Sequence, residues 1–109
     1  MNGHPNLTRR LLLERPLRTP DGAGGQLEAW LPLGQVWAEV IPRTGRDAGG
    51  LARMGYRITV RAAPQGAPSR PKPSQRFRDG ARIFSIDAVT ESDPGGRFLV
   101  CFATEEEGT

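Results

Sequence analysis

The strongest constraint on the fold is an alternation of apolar and polar residues with a period of two. Tyr56, Ile58, Val60 and Ala62 alternate with charged or polar neighbours, so one side of this segment suits a core and the other side suits solvent or a partner. LTRRLLLE (7–14), GQVWAEVIP (34–42) and ARIFSIDAV (81–89) are also typical of strands. Only DAGGLARMG could form even one helical turn, and only if a partner held it. The sequence therefore predicts an all-β fold, a small antiparallel β-barrel or sandwich.

Glycine and proline, 14 and 10 residues of the 109, separate these segments. RPLRTPDGAGG and SDPGG contain turn dipeptides and predict two hairpins, while FLVCF, apolar on both faces, is typical of a central strand. The length supports one domain, residues 1–109. Within it we expect a flexible N-terminus (1–6), a long insert between the second and third main strands (43–55), a proline-rich loop (63–80) and a solvated acidic tail (105–109).

The insert RTGRDAGGLARMG is the segment most in need of an explanation. It carries Arg43, Arg46 and Arg53 against one acid, Asp47, and four glycines. Such a composition is too polar and too flexible to fold on itself. We expect something outside the chain to order it.

Charge is distributed unevenly along the chain. Residues 43–82 hold nine Arg and Lys72 against two acids, a net charge of +8, whereas residues 83–109 have a net charge of −5. Contact with nucleic-acid phosphates explains the basic middle, but so does a solvated strand face, and a GC-rich genome produces the same excess of Arg. The basic loops contain no aromatic residue, which disfavours stacking on single strands. Trp30, Trp37, Tyr56 and Phe84 are expected to pack in the core.

The residues that enzymes and metal sites require are scarce. His4 and Cys101 cannot complete a zinc site, no carboxylate pair has a predicted apolar pocket, and the glycine-rich stretches lack the Lys-Ser/Thr of a phosphate loop. We predict no enzyme activity, no metal and no cofactor. Cys101 is expected to be a buried thiol in an intracellular protein. No apolar run approaches the ~20 residues of a membrane span, so we predict no membrane contact and no signal peptide.

The order of motifs resembles the head-tail joining, or head-closure (stopper), proteins of long-tailed bacteriophages, prophages and gene transfer agents. The resemblance covers nearly the whole chain, although each motif alone is weak. The matching residues are, in order, Arg10-Leu11, Arg15-Pro16, Gly24-Gly25, Trp30, the run VWAEV (36–40) with Pro42 and Gly45, RITVR (57–61), GARIFSI (80–86) with Val89, and Leu99 and Cys101 through to Glu105.

The resemblance implies a small β-barrel that forms a ring, of six subunits by expectation, in the neck of a phage-like particle made in the bacterial cytoplasm. Its partners would be the portal and head-tail adaptor above, a tail terminator or tail tube below, and double-stranded DNA held without sequence preference. The insert would then face the DNA channel through Arg43, Arg46 and Arg53.

A ring also suggests contacts between unlike faces of neighbouring subunits. Candidates for this interface, or for one with a partner protein, are Arg57, Arg61, Glu105, Glu106 and Glu107, with Asp87, Glu91 and Asp93 as further acids. The alternative function is a free-standing basic β-barrel that binds nucleic acid, and an enzyme is a distant third.

Overall fold

A computed structural model describes residues 4–43 and 54–106. These residues form six antiparallel strands: β1 (Arg9–Pro20), β2 (Gln26–Arg43), β3 (Gly55–Arg61), β4 (Arg76–Asp79), β5 (Arg82–Glu91) and β6 (Phe98–Glu105). The described part of the chain contains no helix, which confirms the all-β prediction.

The strands close into a barrel in the order β1-β2-β3-β6-β5-β4. The short strand β4 completes the circle, because it pairs with β1 at Leu12–Glu14 on one side and with β5 on the other. In this circular order β5 is three strands away from β2, on the other side of the barrel. Closure leaves the barrel wall without free edges, which protects it from edge-to-edge association.

The inward-facing residues of all six strands form one core. Phe77 and Phe84 are its largest fully buried side chains, and Tyr56 meets Phe84 edge to face with ring centroids 5.0 Å apart. The other buried members are Leu11, Leu13, Ala38, Ile58, Val60, Ile86, Leu99, Cys101 and Ala103. The alternation seen in residues 56–60 thus identifies the buried face of β3 correctly.

The outer halves of β1 and β2 extend beyond the barrel as a two-stranded hairpin, which we call the arm (residues 15–32). Its strands pair from Arg15↔Leu31 to Pro20↔Gln26, and a register shift next to Leu13 and Glu14 separates the arm from the barrel. Gly34, at this irregularity, has a φ of +134°, a conformation that side chains rarely adopt.

Three sequence predictions need correction. Trp37 points outward from β2 and is 52% exposed, and Trp30 is half-buried on the arm, so neither belongs to the core. The segment 63–80 is not a loop throughout, because β4 lies within it. Glu105 is the last residue of β6 and does not begin a solvated tail.

The insert begins and ends at paired residues. Arg43 ends β2 and Gly55 begins β3 directly opposite it, so both ends of the insert lie side by side at one end of the barrel. Residues 44–53 lie outside the described part of the chain, and with them Arg46 and Arg53.

Candidate functional site

The outer surface of β2, β3 and β6, together with the neighbouring start of β1, carries arginines interleaved with aromatic and apolar side chains. We call it the cationic-aromatic face, and its members are Arg10, Trp37, Ile41, Arg43, Arg57, Arg61, Phe98 and Phe102. The strand register brings them together: Ile41 lies opposite Arg57, and Arg57 lies opposite Phe102. Their alternation with core residues follows from the two-residue period of each strand.

Three arginines lie over aromatic rings on this face. The guanidinium carbon of Arg43 is 4.8 Å from the centroid of Phe102, that of Arg10 is 5.2 Å from Trp37, and that of Arg61 is 5.8 Å from Phe98. Such contacts hold a cation at a fixed place while leaving it accessible. Ile41 is 41% exposed on the same face. A surface that combines exposed apolar area with fixed positive charge is suited to a protein or phosphate partner.

The N-terminal segment lies against this face. The backbone N–H of Asn6 donates to Glu39 Oε2 at 3.0 Å, and His4 and Pro5 line a cleft together with Thr59 and Phe98. Of the N-terminus expected to be flexible, residues 4–6 thus have defined contacts, and residues 1–3 lie outside the described residues.

The structure brings some of the predicted site residues together and separates others. Arg43, Arg57 and Arg61 share the cationic-aromatic face. Glu105 and Glu106 lie elsewhere, at the end of β6 beside β5, and Glu107 lies outside the described residues. Their predicted roles toward DNA or neighbouring subunits remain predictions.

Glu105 is bound within its own subunit. Arg82 Nε donates to Glu105 Oε2 at 2.8 Å, and the Tyr56 hydroxyl donates to Glu105 Oε1 at 3.0 Å. Arg82 lowers the pKa of Glu105, whereas burial and the neighbouring Glu105 carboxylate raise the pKa of Tyr56. The ion pair of Arg82 and Glu105 links β5 to β6 near the end of the barrel where the insert begins.

Glu106 also contacts its own chain. Its Oε2 accepts a hydrogen bond from the Ser85 hydroxyl, and its backbone N–H donates to the carbonyl of Ile83 at 2.9 Å. Asp87, on the same strand as Ser85, accepts a hydrogen bond from the Thr104 hydroxyl. The β5 side therefore presents carboxylates, while the cationic-aromatic face, centred on β2 and β3, presents arginines.

A buried ion pair fixes the base of the arm, and sequence reasoning missed it. Arg76 Nε donates to Glu14 Oε1 at 2.6 Å, with side-chain exposures of only 9% and 6%. The Arg76 guanidinium also lies 4.1 Å from the ring centroid of Trp30, and Arg78 approaches Glu14 Oε2 at 3.6 Å. The signal in the sequence was a lone acid at the end of an apolar run, LLLE, which cannot by itself indicate a partner 62 residues away.

The described residues hold no group of three or more His, Cys, Asp and Glu side chains placed to bind a metal ion. Burial raises the pKa of the Cys101 thiol to about 12, which makes it a poor nucleophile. Within residues 4–43 and 54–106 there is no helix long and apolar enough to cross a membrane.

Comparison with known proteins indicates a family and a similar solved structure. Residues 4–106 match the family model described as phage head completion protein. Among solved structures, a chain of the virion of a native gene transfer agent particle is 50% identical, with a TM-score of 0.84, over 97% of this chain and 100% of that chain. No curated protein matches the sequence.

Proposed function

Because the chain belongs to the phage head completion protein family, we propose that it forms a ring between the portal with its adaptor and the tail of a phage-like particle. The head-completion role itself follows from the family, whose model matches residues 4–106. The similarity to a chain of a gene transfer agent virion, at 50% identity, supports the location in a particle. The ring, the retention of packaged DNA and the attachment of a tail are our proposal.

The distribution of charge around the barrel supports a ring. Arg57 and Arg61 project from β3, whereas Asp87 and Glu106 lie on the β5 side. Unlike surfaces on different sides of one subunit favour head-to-tail contacts between copies, and such contacts close into rings when the rotation permits. We therefore assign Arg57 and Arg61 to a subunit or partner interface.

The position of the insert supports a DNA-facing role. Its two ends are adjacent at one end of the barrel, and the sequence between them includes Arg46 and Arg53. Arg43 is fixed over Phe102 at its base. If six subunits surround one channel, three arginines from each give about eighteen positive charges around the duplex, a strong field for phosphates.

The test uses particles made without the chain and particles made with the double variant Arg46→Ser/Arg53→Ser. We expect the deletion to give filled heads that lack tails and lose DNA. The double variant should assemble with tails but expose its DNA to nuclease sooner than the native particle. Cryo-electron microscopy should place the chain between the portal and the tail. Tailed particles that keep their DNA without the chain would contradict the proposal.

The cationic-aromatic face favours a second candidate, a monomer that binds nucleic acid by itself. Fluorescence anisotropy of a labelled duplex titrated with the purified subunit distinguishes the two functions. Tight binding at physiological salt, weakened by Arg57→Ser/Arg61→Ser, supports the second candidate. Weak binding by the monomer, together with normal incorporation into particles, supports the ring.

A further inference from the structure

The outer part of the arm has no strand partner among the described residues except its own hairpin. β1 pairs with β4 only as far as Glu14, and β2 pairs with β3 only from Ala38 onward. Two-stranded ribbons are marginally stable in water, and both edges of this one are free. Contact with another surface would therefore stabilise an arm of this length.

The base of the arm is nevertheless anchored to the barrel, which sets the direction in which the arm projects. The buried pair of Glu14 and Arg76, with Trp30 packed over the guanidinium, joins the base of the arm to β4. Arg15, the first residue of the arm, directly follows the anchored Glu14. The arm thus projects as a fixed element whose six residues past Glu14 reach roughly 20 Å from the barrel.

One face of the arm carries three apolar side chains. Leu17 pairs with Ala29, and two residues nearer the barrel Leu31 pairs with Arg15, so Leu17, Ala29 and Leu31 share a face with the charged Arg15. Leu17 is 36% exposed, and few other large apolar side chains on the described surface are as exposed. Toward the tip, Glu28 is paired with Arg18 at 3.1 Å, which leaves Asp21 as the charge that is not balanced within residues 18–28.

A surface cleft with matching properties lies on the barrel. It has a volume of about 680 Å³, and its lining includes Leu7, Val36, Trp37, Arg61, Ala62 and Ser69. We call it the apolar cleft. The guanidinium of Arg10 lies over Trp37 at its edge, so the cleft combines apolar walls with positive charge.

The arm of one molecule cannot reach its own cleft. Leu17 pairs with Ala29, and Arg10 pairs with Trp37 at the cleft. Seven residues of β1, roughly 23 Å, therefore separate Leu17 from the cleft along the same ribbon. The arm and the cleft are also different surfaces, so an arm seated in a cleft is a contact between unlike surfaces. Complementary unlike surfaces on one chain are what a head-to-tail ring requires.

We propose that the apolar face of the arm occupies the apolar cleft of the next copy of this chain, and that this contact links the subunits of the ring. Leu17 enters the cleft beside Trp37, while the carboxylate of Asp21 at the tip of the arm meets the positive charge of Arg10 or Arg61. The inference rests on the proposed ring, and it names the surfaces that would hold the ring together.

The test is chemical cross-linking in purified particles that carry Leu17→Cys together with Ser69→Cys, using a short bis-maleimide. Ser69 is exposed and lines the cleft, so both changes leave the core intact. Cys101 is fully buried and does not compete. The matched control pairs Leu17→Cys with Ala88→Cys, which is exposed on β5 across the barrel from β2.

We expect a ladder of cross-linked species extending beyond the dimer for the first pair and none for the control. The single variants should give no ladder. Incorporation of the double variant without cross-linking, or products that stop at the dimer, overturns the arm contact and leaves the proposed function standing. Absence of the wild-type chain from particles removes the proposed function and the arm contact together.

A measurement on the wild-type chain covers the case in which the cysteine variants are not incorporated. Arg18 is exposed on the arm, so trypsin should cut after it rapidly in the isolated subunit. In assembled particles we expect this cleavage to slow at least tenfold. Equal rates in the two samples overturn the contact.

Discussion

Replacing Arg76 with Met tests whether the buried ion pair holds the arm to the barrel. Breaking a buried pair by removing one partner costs about 3–5 kcal/mol, because the other charge stays buried. Here Arg78 remains 3.6 Å from Glu14 Oε2, which favours the lower end of that range. The variant also loses the contact of the guanidinium with Trp30 at 4.1 Å. We expect a loss of about 3 kcal/mol, a large part of the stability of a domain of this size.

Urea unfolding followed by tryptophan fluorescence measures this loss. Two further variants show whether the loss comes from the buried ion pair. Arg18→Met removes the exposed pair with Glu28, whose side chains are 62% and 46% exposed, and should change the stability by less than about 0.5 kcal/mol. Glu14→Gln combined with Arg76→Met removes both charges and should be more stable than the sum of the single changes predicts.

Amide hydrogen exchange adds the location of the effect. In Arg76→Met the amides of residues 16–30 should exchange faster, while those of β3 and β6 change in proportion to global stability. The reasoning is refuted if Arg76→Met costs no more than Arg18→Met, or if the two changes at Glu14 and Arg76 are simply additive.

Three other predictions follow from the described contacts. Because Arg82 lowers the pKa of Glu105, the stabilisation by this carboxylate is present above the ordinary Glu pKa of about 4.3 and is lost as the pH falls through the lowered value. Glu105→Gln should therefore be less stable than the native chain at pH 7, and urea midpoints of the two should converge toward pH 3. Cys101 should react with a thiol reagent at pH 8 only after unfolding, since burial raises its pKa to about 12; rapid labelling of the native protein would contradict this. Phe84→Ala should cost about 3–5 kcal/mol in urea unfolding, because the ring is fully buried, and a loss below 1 kcal/mol would show that the core is not packed as described.

The sequence predicts the barrel wall well because burial there has a clear period. β3 alternates between core residues and exposed arginines except at Thr59, which is buried on the outer side, and the two glycine-containing turns fall where the strands reverse. The hairpin of the arm was predicted from its turn residues, but its extension beyond the barrel was not, since the sequence places prolines at 16, 20 and 32 within it and the apolar side chains of the arm share a face with Arg15. β4 was missed because four residues, RFRD, are too short and too charged to stand out.

The site was predicted in part for a similar reason. The outward direction of Arg57 and Arg61 follows from the alternation in β3, which has one apolar and one charged face. Trp37 has apolar neighbours on both sides in VWA, so its orientation cannot be read from the pattern and depends on the register with β1. The pairing of Arg76 with Glu14 depends on barrel closure, a long-range feature without a local signal.

The structure also changes the meaning of the charge segregation along the chain. Within the basic middle, Arg76 is paired with Glu14 and Arg82 with Glu105, so the charge of each is balanced inside the subunit. The acidic end is similarly reduced, because Glu105 is paired with Arg82 within the subunit. Part of the contrast between +8 and −5 is therefore compensated inside one molecule, by strands that are distant in sequence and adjacent in the barrel. The positive charge left for partners is concentrated on the cationic-aromatic face and on the insert that starts beside it, so the salt dependence of assembly should be governed by these few arginines rather than by the net charge of the chain.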